Sequence, residues 1–204
     1  MGHDPMSTVA DAPDVLRQLM QGEWIDPDGG SPVGVPVPAV AIERSLRGLE
    51  AELVASLGLG HRLAVVSDAT TRAVLGERVE RALEALATVL PIVLAGQPHA
   101  DADTAAKLRR ACAPADALIA VGSGTINDLC KHAAATDGKP YAVFATAPSM
   151  NGYTSTNAAI TVDGLKQSLA AAAPAGVFLV LEVLAQAPAR MIRAGLGDSL
   201  CRST

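Results

Sequence analysis

Short apolar runs alternate with longer stretches of helical periodicity through the middle of the chain. Leu63-Ala-Val-Val66 is a compact apolar run that stops at Ser67-Asp68, and the spacing from Thr71 to Leu86 predicts a helix. Val89 to Leu94 reads as a strand, Asp103 to Cys112 as a helix, Ala117 to Val121 as a strand, Gly124 to Thr136 as a helix and Tyr141 to Ala145 as a strand. Apolar strands alternating with helices indicate βαβ units and a parallel sheet. The expected fold class is therefore α/β, a Rossmann-like parallel sheet with flanking helices. Ligands on such sheets sit at the carboxyl ends of the strands.

The flanks follow other patterns. Residues 1–38 are rich in Pro, Gly and Asp and read as an N-terminal extension, with a short helix near Asp14 to Met20 and a loop through Pro38. Val40, Leu46, Leu49, Leu53 and Leu57 recur near helical spacing, and Gly58 and Gly60 close that run. After Thr146 the alternation stops in a polar loop. Ala159 to Val162, Asp163-Gly164 and Leu165 to Ser168 form a hairpin pattern, since Asp-Gly is a strong two-residue turn signal. Val177 to Leu181 is another buried strand, and Ala187 to Thr204 reads as a helix with Pro188 near its first turn. The expected organisation is an extension over 1–38, an α/β domain over 39–182 and, from 183, the opening of a helical domain that continues beyond Thr204.

Composition narrows the class. Half of the 204 residues are apolar and only 2% are aromatic, so the core must be mostly Ala, Val, Leu and Ile. That suits parallel strands covered on both faces by Ala-rich helices. The net charge is −5 and no Lys/Arg cluster occurs, which argues against a nucleic-acid partner. Cys112, Cys130 and Cys201 form no CxxC pair and are odd in number, so reduced thiols in a cytoplasmic protein are expected. Met1 to Met6 reads as a leader rather than a signal peptide. The longest apolar stretch, Ala175 to Leu184, contains Glu182 and is too short for membrane insertion.

Four places could carry chemistry. The strand Ala117 to Val121 runs into Gly122-Ser123-Gly124-Thr125-Ile126, and a helix opens at once. Glycines permit a tight turn and close approach of a ligand to bare backbone. A helix start offers unpaired N–H groups and a positive dipole end, which favours phosphate. Asn127 stands where the familiar dinucleotide fingerprint has its third glycine, and no GK[ST] follows, so an ordinary tight turn is the alternative. Asp68 either accepts hydrogen bonds from a ribose or caps the following helix. Thr146-Ala-Pro-Ser149-Met-Asn151-Gly-Tyr-Thr-Ser155 either holds phosphate and ribose oxygens or caps itself as a turn. Gly195-Leu-Gly-Asp198 places two glycines and a carboxylate inside the final helix, which costs about 1 kcal/mol per glycine relative to Ala. Something must approach that backbone closely. Asp198 is either a metal ligand or a solvated carboxylate. His3, His61, His99 and His132 are poorly placed to assist it.

Taken together, Val121-Gly-Ser-Gly-Thr-Ile-Asn-Asp128, Thr146 to Ser155, Ile160-Thr-Val-Asp-Gly164 and Ala187-Pro-Ala-Arg-Met-Ile-Arg-Ala-Gly-Leu-Gly-Asp198 resemble the iron-containing alcohol dehydrogenase and dehydroquinate synthase superfamily. Within it, the stretch from about Arg62 to Thr204 is most similar to sn-glycerol-1-phosphate dehydrogenases. The resemblance implies an N-terminal NAD(P)-binding domain and a C-terminal all-helical metal-binding domain. It implies that Gly122, Ser123, Gly124, Thr125 and Ile126 hold the diphosphate, with Asp128, Thr146, Ser149 and Ser155 also around the cofactor. It implies that Asp198 ligates a divalent metal and touches a small phosphorylated substrate. Zinc suits a carboxylate with two imidazoles, and nickel or iron also bind imidazole. The chain departs from the family at Ser123, where glycine is common, and at Asn151, where an aspartate contacts substrate. The implied reaction interconverts dihydroxyacetone phosphate and sn-glycerol 1-phosphate, in a homo-oligomer. A lyase like 3-dehydroquinate synthase is the alternative, but it normally uses several lysines and only Lys107, Lys131, Lys139 and Lys166 are available. A nucleotide-binding module without activity is the third reading, and the 204 residues alone are expected to bind NAD(P) weakly with little turnover.

Overall fold

The computed structural model describes residues 14–201. The leader pattern at Met1 to Met6, His3 and the last residues of the expected C-terminal helix lie outside them. After α1 (Asp14–Gln21), the strand β1 (Ala39–Glu43) precedes α2 (Glu50–Ala55). Then come β2 (Arg62–Asp68), α3 (Ala69–Thr71), a π turn (Arg72–Gly76) and α4 (Glu77–Leu83). β3 (Thr88–Leu94), α5 (Ala102–Ala111), β4 (Ala117–Gly122), α6 (Gly124–Asp137) and β5 (Tyr141–Ala145) complete the alternation. The hairpin β6 (Asn157–Val162) and β7 (Leu165–Ala170) leads to β8 (Gly176–Val180), α7 (Leu181–Leu184) and α8 (Ala189–Leu200).

Six strands form one parallel sheet in the order β1-β8-β5-β4-β2-β3. The α/β, Rossmann-like expectation holds. The side-chain period of two divides the core. Ala64, Val66, Leu118, Ala120 and Val143 face one way, beneath Leu108 of α5 and Ile126, Leu129 and Ala133 of α6. Leu63, Val65, Ile119, Val121 and Phe144 face the other way, beneath Leu53 of α2 and Leu75, Val79 and Leu83. Every residue of β4 is buried, as a central strand covered on both faces must be. Pro91 sits in β3, an edge strand, where a missing N–H is tolerated.

The spacing from Val40 to Leu57 predicted helix throughout, and here the structure differs. Val40 belongs to β1, which pairs in parallel with β8, Val40 opposite Val177. Only Glu50–Ala55 is helical. Only the steps from Leu46 to Leu57 are three or four, and Val40, six residues before Leu46, belongs to a separate strand. The hairpin forms as expected: Asp163 and Gly164 take φ of 51° and 77°, the two-residue turn of β6 and β7. Among the described residues, no helix is long and apolar enough to cross a membrane. Cys112 and Cys130 are buried free thiols and Cys201 is an exposed one.

Candidate dinucleotide cleft and the carboxylate of the last helix

The chain leaves β2 toward β3 on one side of the sheet and then crosses to β4 on the other. This reversal opens a crevice at the carboxyl ends of β2 and β4. A cleft of about 540 Å³ occupies it, lined by Asp68, Thr71, Ser123, Thr125, Ile126 and Thr146, and by Arg190 and Met191 of α8. That volume lies within the usual range for small-molecule sites.

Ser123 is the extended N-cap of α6, and its side chain makes no cap bond. The first main-chain bond of the helix runs from Asn127 N to Ser123 O at 2.9 Å. The amides of Gly124, Thr125 and Ile126 therefore have no hydrogen-bond partner among the described residues. Such amides at a helix start are an anion site in waiting. Gly122 makes the turn possible: a Cβ there would lie 2.5 Å from Ile126 Cβ. Tyr153 braces the turn from behind. Its buried hydroxyl donates to Ala147 O at 2.8 Å and lies 3.4 Å from Gly122 O, and burial pushes its pKa up.

Both readings of Asp68 meet in one side chain. Oδ1 accepts from Thr71 N at 2.8 Å and the Thr71 hydroxyl accepts from Asp68 N, a reciprocal capping box on α3. The same residue lines the cleft. Capping fixes its rotamer without removing it from the wall.

The loop after β5 connects two places. Thr146 and Ala147 line the cleft, and Thr146 N donates to Gly122 O at 3.1 Å. Four residues later, Asn151 N donates to Asp198 Oδ2 at 2.8 Å, and Asn151 Nδ2 donates to the main-chain carbonyl of Asp198 at 3.3 Å. Ser149 is half-buried between them. The predicted close approach to the glycines of α8 is real at one of them. A Cβ on Gly195 would lie 1.8 Å from Pro148 O, whereas one on Gly197 would meet nothing within 4 Å.

Asp128 and Ser155 lie outside the cleft lining. Asp128 accepts a bond from the Ala159 amide of β6, and burial raises its pKa. Ser155 Oγ accepts from Lys131 Nζ at 2.9 Å and sits within bonding distance of Gly152 O and Asn157 O. Lys131 has no exposed surface, and its ammonium also donates to Gly152 O at 2.8 Å and to Asn157 O at 3.3 Å. Burial pulls its pKa down to about 8. Lys131 is a positioning residue that ties α6 to the loop holding Asn151. Neither Lys131 nor Arg190 nor Tyr153 was assigned a role from sequence. Arg190 lies ten residues past the end of β8, at the start of α8, and carries no strand-end signal; burial of Lys131 and Tyr153 carries no sequence signal either.

The described residues do not fit a metal centre on their own. No group of three His, Cys, Asp or Glu side chains could hold an ion among them. Asp198 is a single carboxylate, about 12 Å along α8 from Arg190 at the helical rise per residue.

Residues 41–188 match the model of one protein family, described as iron-containing alcohol dehydrogenase. This chain belongs to that family. The glycerol-1-phosphate dehydrogenase [NAD(P)+] of Bacillus licheniformis is 39% identical over 148 residues, covering 70% of this chain and 37% of that protein. Its counterpart in Bacillus subtilis is 36% identical over 148 residues, covering 70% and 38%. Among solved structures, a probable glycerol dehydrogenase from Sinorhizobium meliloti is similar with a TM-score of 0.68 and 25% identity, over 82% of this chain and 46% of that one. This family member therefore spans well under half the length of the curated relatives it matches.

Proposed function

We propose that the chain is the dinucleotide-binding part of an NAD(P)-dependent dehydrogenase that interconverts dihydroxyacetone phosphate and sn-glycerol 1-phosphate. The observation that carries this is the set of unpartnered amides at Gly124 to Ile126, at the switch point of the sheet, in a chain whose relatives are named glycerol-1-phosphate dehydrogenase. Those amides, with the hydroxyls of Ser123, Thr125 and Thr146, hold the diphosphate. Asp68 takes a ribose diol, and its charge opposes a 2′-phosphate. When bound, the nicotinamide supplies or accepts hydride; the protein orients and excludes water.

In this reading, residues 39–182 form the cofactor domain and 183–204 begin a helical one. Asn151 and Asp198 face the substrate. Asp198 is one ligand of a divalent metal, zinc before nickel or iron, whose other ligands lie outside the described residues. Asn151 can donate as well as accept, and it brings no negative charge toward a phosphorylated substrate. The working enzyme is a cytoplasmic homo-oligomer.

The test is an assay of the complete protein with NADH and dihydroxyacetone phosphate. Oxidation of NADH with formation of the sn-1 enantiomer is expected. Formation of sn-glycerol 3-phosphate, or release of phosphate without net consumption of NADH as a lyase would give, contradicts the proposal.

A further inference from the structure

The cleft carries two charged side chains in its lining, Asp68 and Arg190, and they come from different elements. Asp68 closes the end of β2, while Arg190 lies in the first turn of α8. The two make no ion pair. Several partly buried arginines are paired with carboxylates: Arg72 with Glu80 and Glu77, Arg78 with Glu50 and Glu182, Arg109 with Asp137. Arg190 has no hydrogen bond or ion pair with any described residue. An uncompensated guanidinium facing a cleft of hydroxyls and free amides is complementary to an anion, and its planar fork suits phosphate oxygens.

The distribution of charge locates that anion along the ligand. Asp68 disfavours phosphate at its own wall, so the negative part of the ligand lies away from β2. In the sheet order β4 lies between β2 and β5, so the free amides of α6, which follows β4, lie between Asp68 at the end of β2 and Thr146 just past β5. We infer that Arg190 is a binding residue for the diphosphate of the dinucleotide, closing over it from α8 while the amides past Val121 hold it from below. This rests on the proposed dinucleotide site. Arg190 is exposed, so its substitution leaves the core untouched.

The test is calorimetry of the wild type, Arg190→Gln and Arg190→Lys with NADH, NADPH, ADP, adenosine and sn-glycerol 1-phosphate at one fixed salt concentration. Arg190→Gln is expected to weaken NADH, NADPH and ADP on the order of 10-fold and to leave adenosine unchanged, with Arg190→Lys in between, because an ammonium keeps the charge but loses the fork. Unchanged ADP affinity overturns the inference. Loss confined to NADPH assigns the arginine to a ribose 2′-phosphate, and loss confined to glycerol phosphate assigns it to substrate; either overturns the diphosphate assignment. Equal weakening of adenosine indicates general damage to the cleft and also overturns it. A wild type that binds none of the nucleotides brings down the cofactor reading itself, separately from any effect of Arg190.

Discussion

Two glycines two positions apart on α8 have opposite reasons to exist. At Gly195 the carbonyl of Pro148 occupies the space where a Cβ would go, and that neighbour is backbone with little freedom to yield. Gly195→Ala is expected to destabilise by about 1–3 kcal/mol, the usual range for overpacking, read from denaturant midpoints. At Gly197 the space is open and the backbone is helical. Gly197→Ala should therefore stabilise by about 0.5–1 kcal/mol. Equal effects would mean that α8 does not rest on the 146–151 loop as described. Asn151 adds two hydrogen bonds to Asp198 there, and Asn151→Asp replaces the donor to the Asp198 carbonyl with a like charge beside the Asp198 carboxylate. That variant should undock α8 further, seen as faster hydrogen exchange of its amides; unchanged exchange would discount the contact.

At the scale of elements, Lys131 links α6 to the turn at Gly152 and the start of β6. Its folded pKa of about 8 lies below the ordinary lysine value of 10.5. Between those values the unfolded chain holds a proton that the folded chain has released, so this group's contribution to stability rises with pH across that window. Stability of the wild type relative to Lys131→Met should climb from about pH 8 to about pH 10.5; a flat or falling difference contradicts the burial. The elements themselves were largely legible. β2, β4, β5 and the hairpin follow from local apolar period and the Asp163-Gly164 turn. β1 was not legible, because its identity comes from pairing with β8 at the far end of the chain. The site divides the same way. The Gly122 turn and Asp68 follow from residue type at a strand end. The partners that take up Asp128 and Ser155 come from tertiary packing, which no local pattern encodes.

For the whole molecule, the sheet, its two apolar faces and the crevice at its switch point make one arrangement. The sheet order puts β2, β4 and β5 side by side, so their carboxyl ends bring Asp68, Ser123 and Thr146 to one wall. The loop from Thr146 to Asn151 then carries the cleft's edge over to Asp198 on α8. On the proposed reading, binding of a dinucleotide and docking of α8 are coupled through that loop. NAD+ should thus raise the melting temperature of the wild type more than that of Gly195→Ala. The central claim is that a diphosphate sits on the amides of Thr125 and Ile126. A crystal structure with NAD+ bound tests it most directly. Phosphate oxygens within about 2.7–3.2 Å of those nitrogens are the predicted result; the dinucleotide bound elsewhere, with that turn bare, would contradict it.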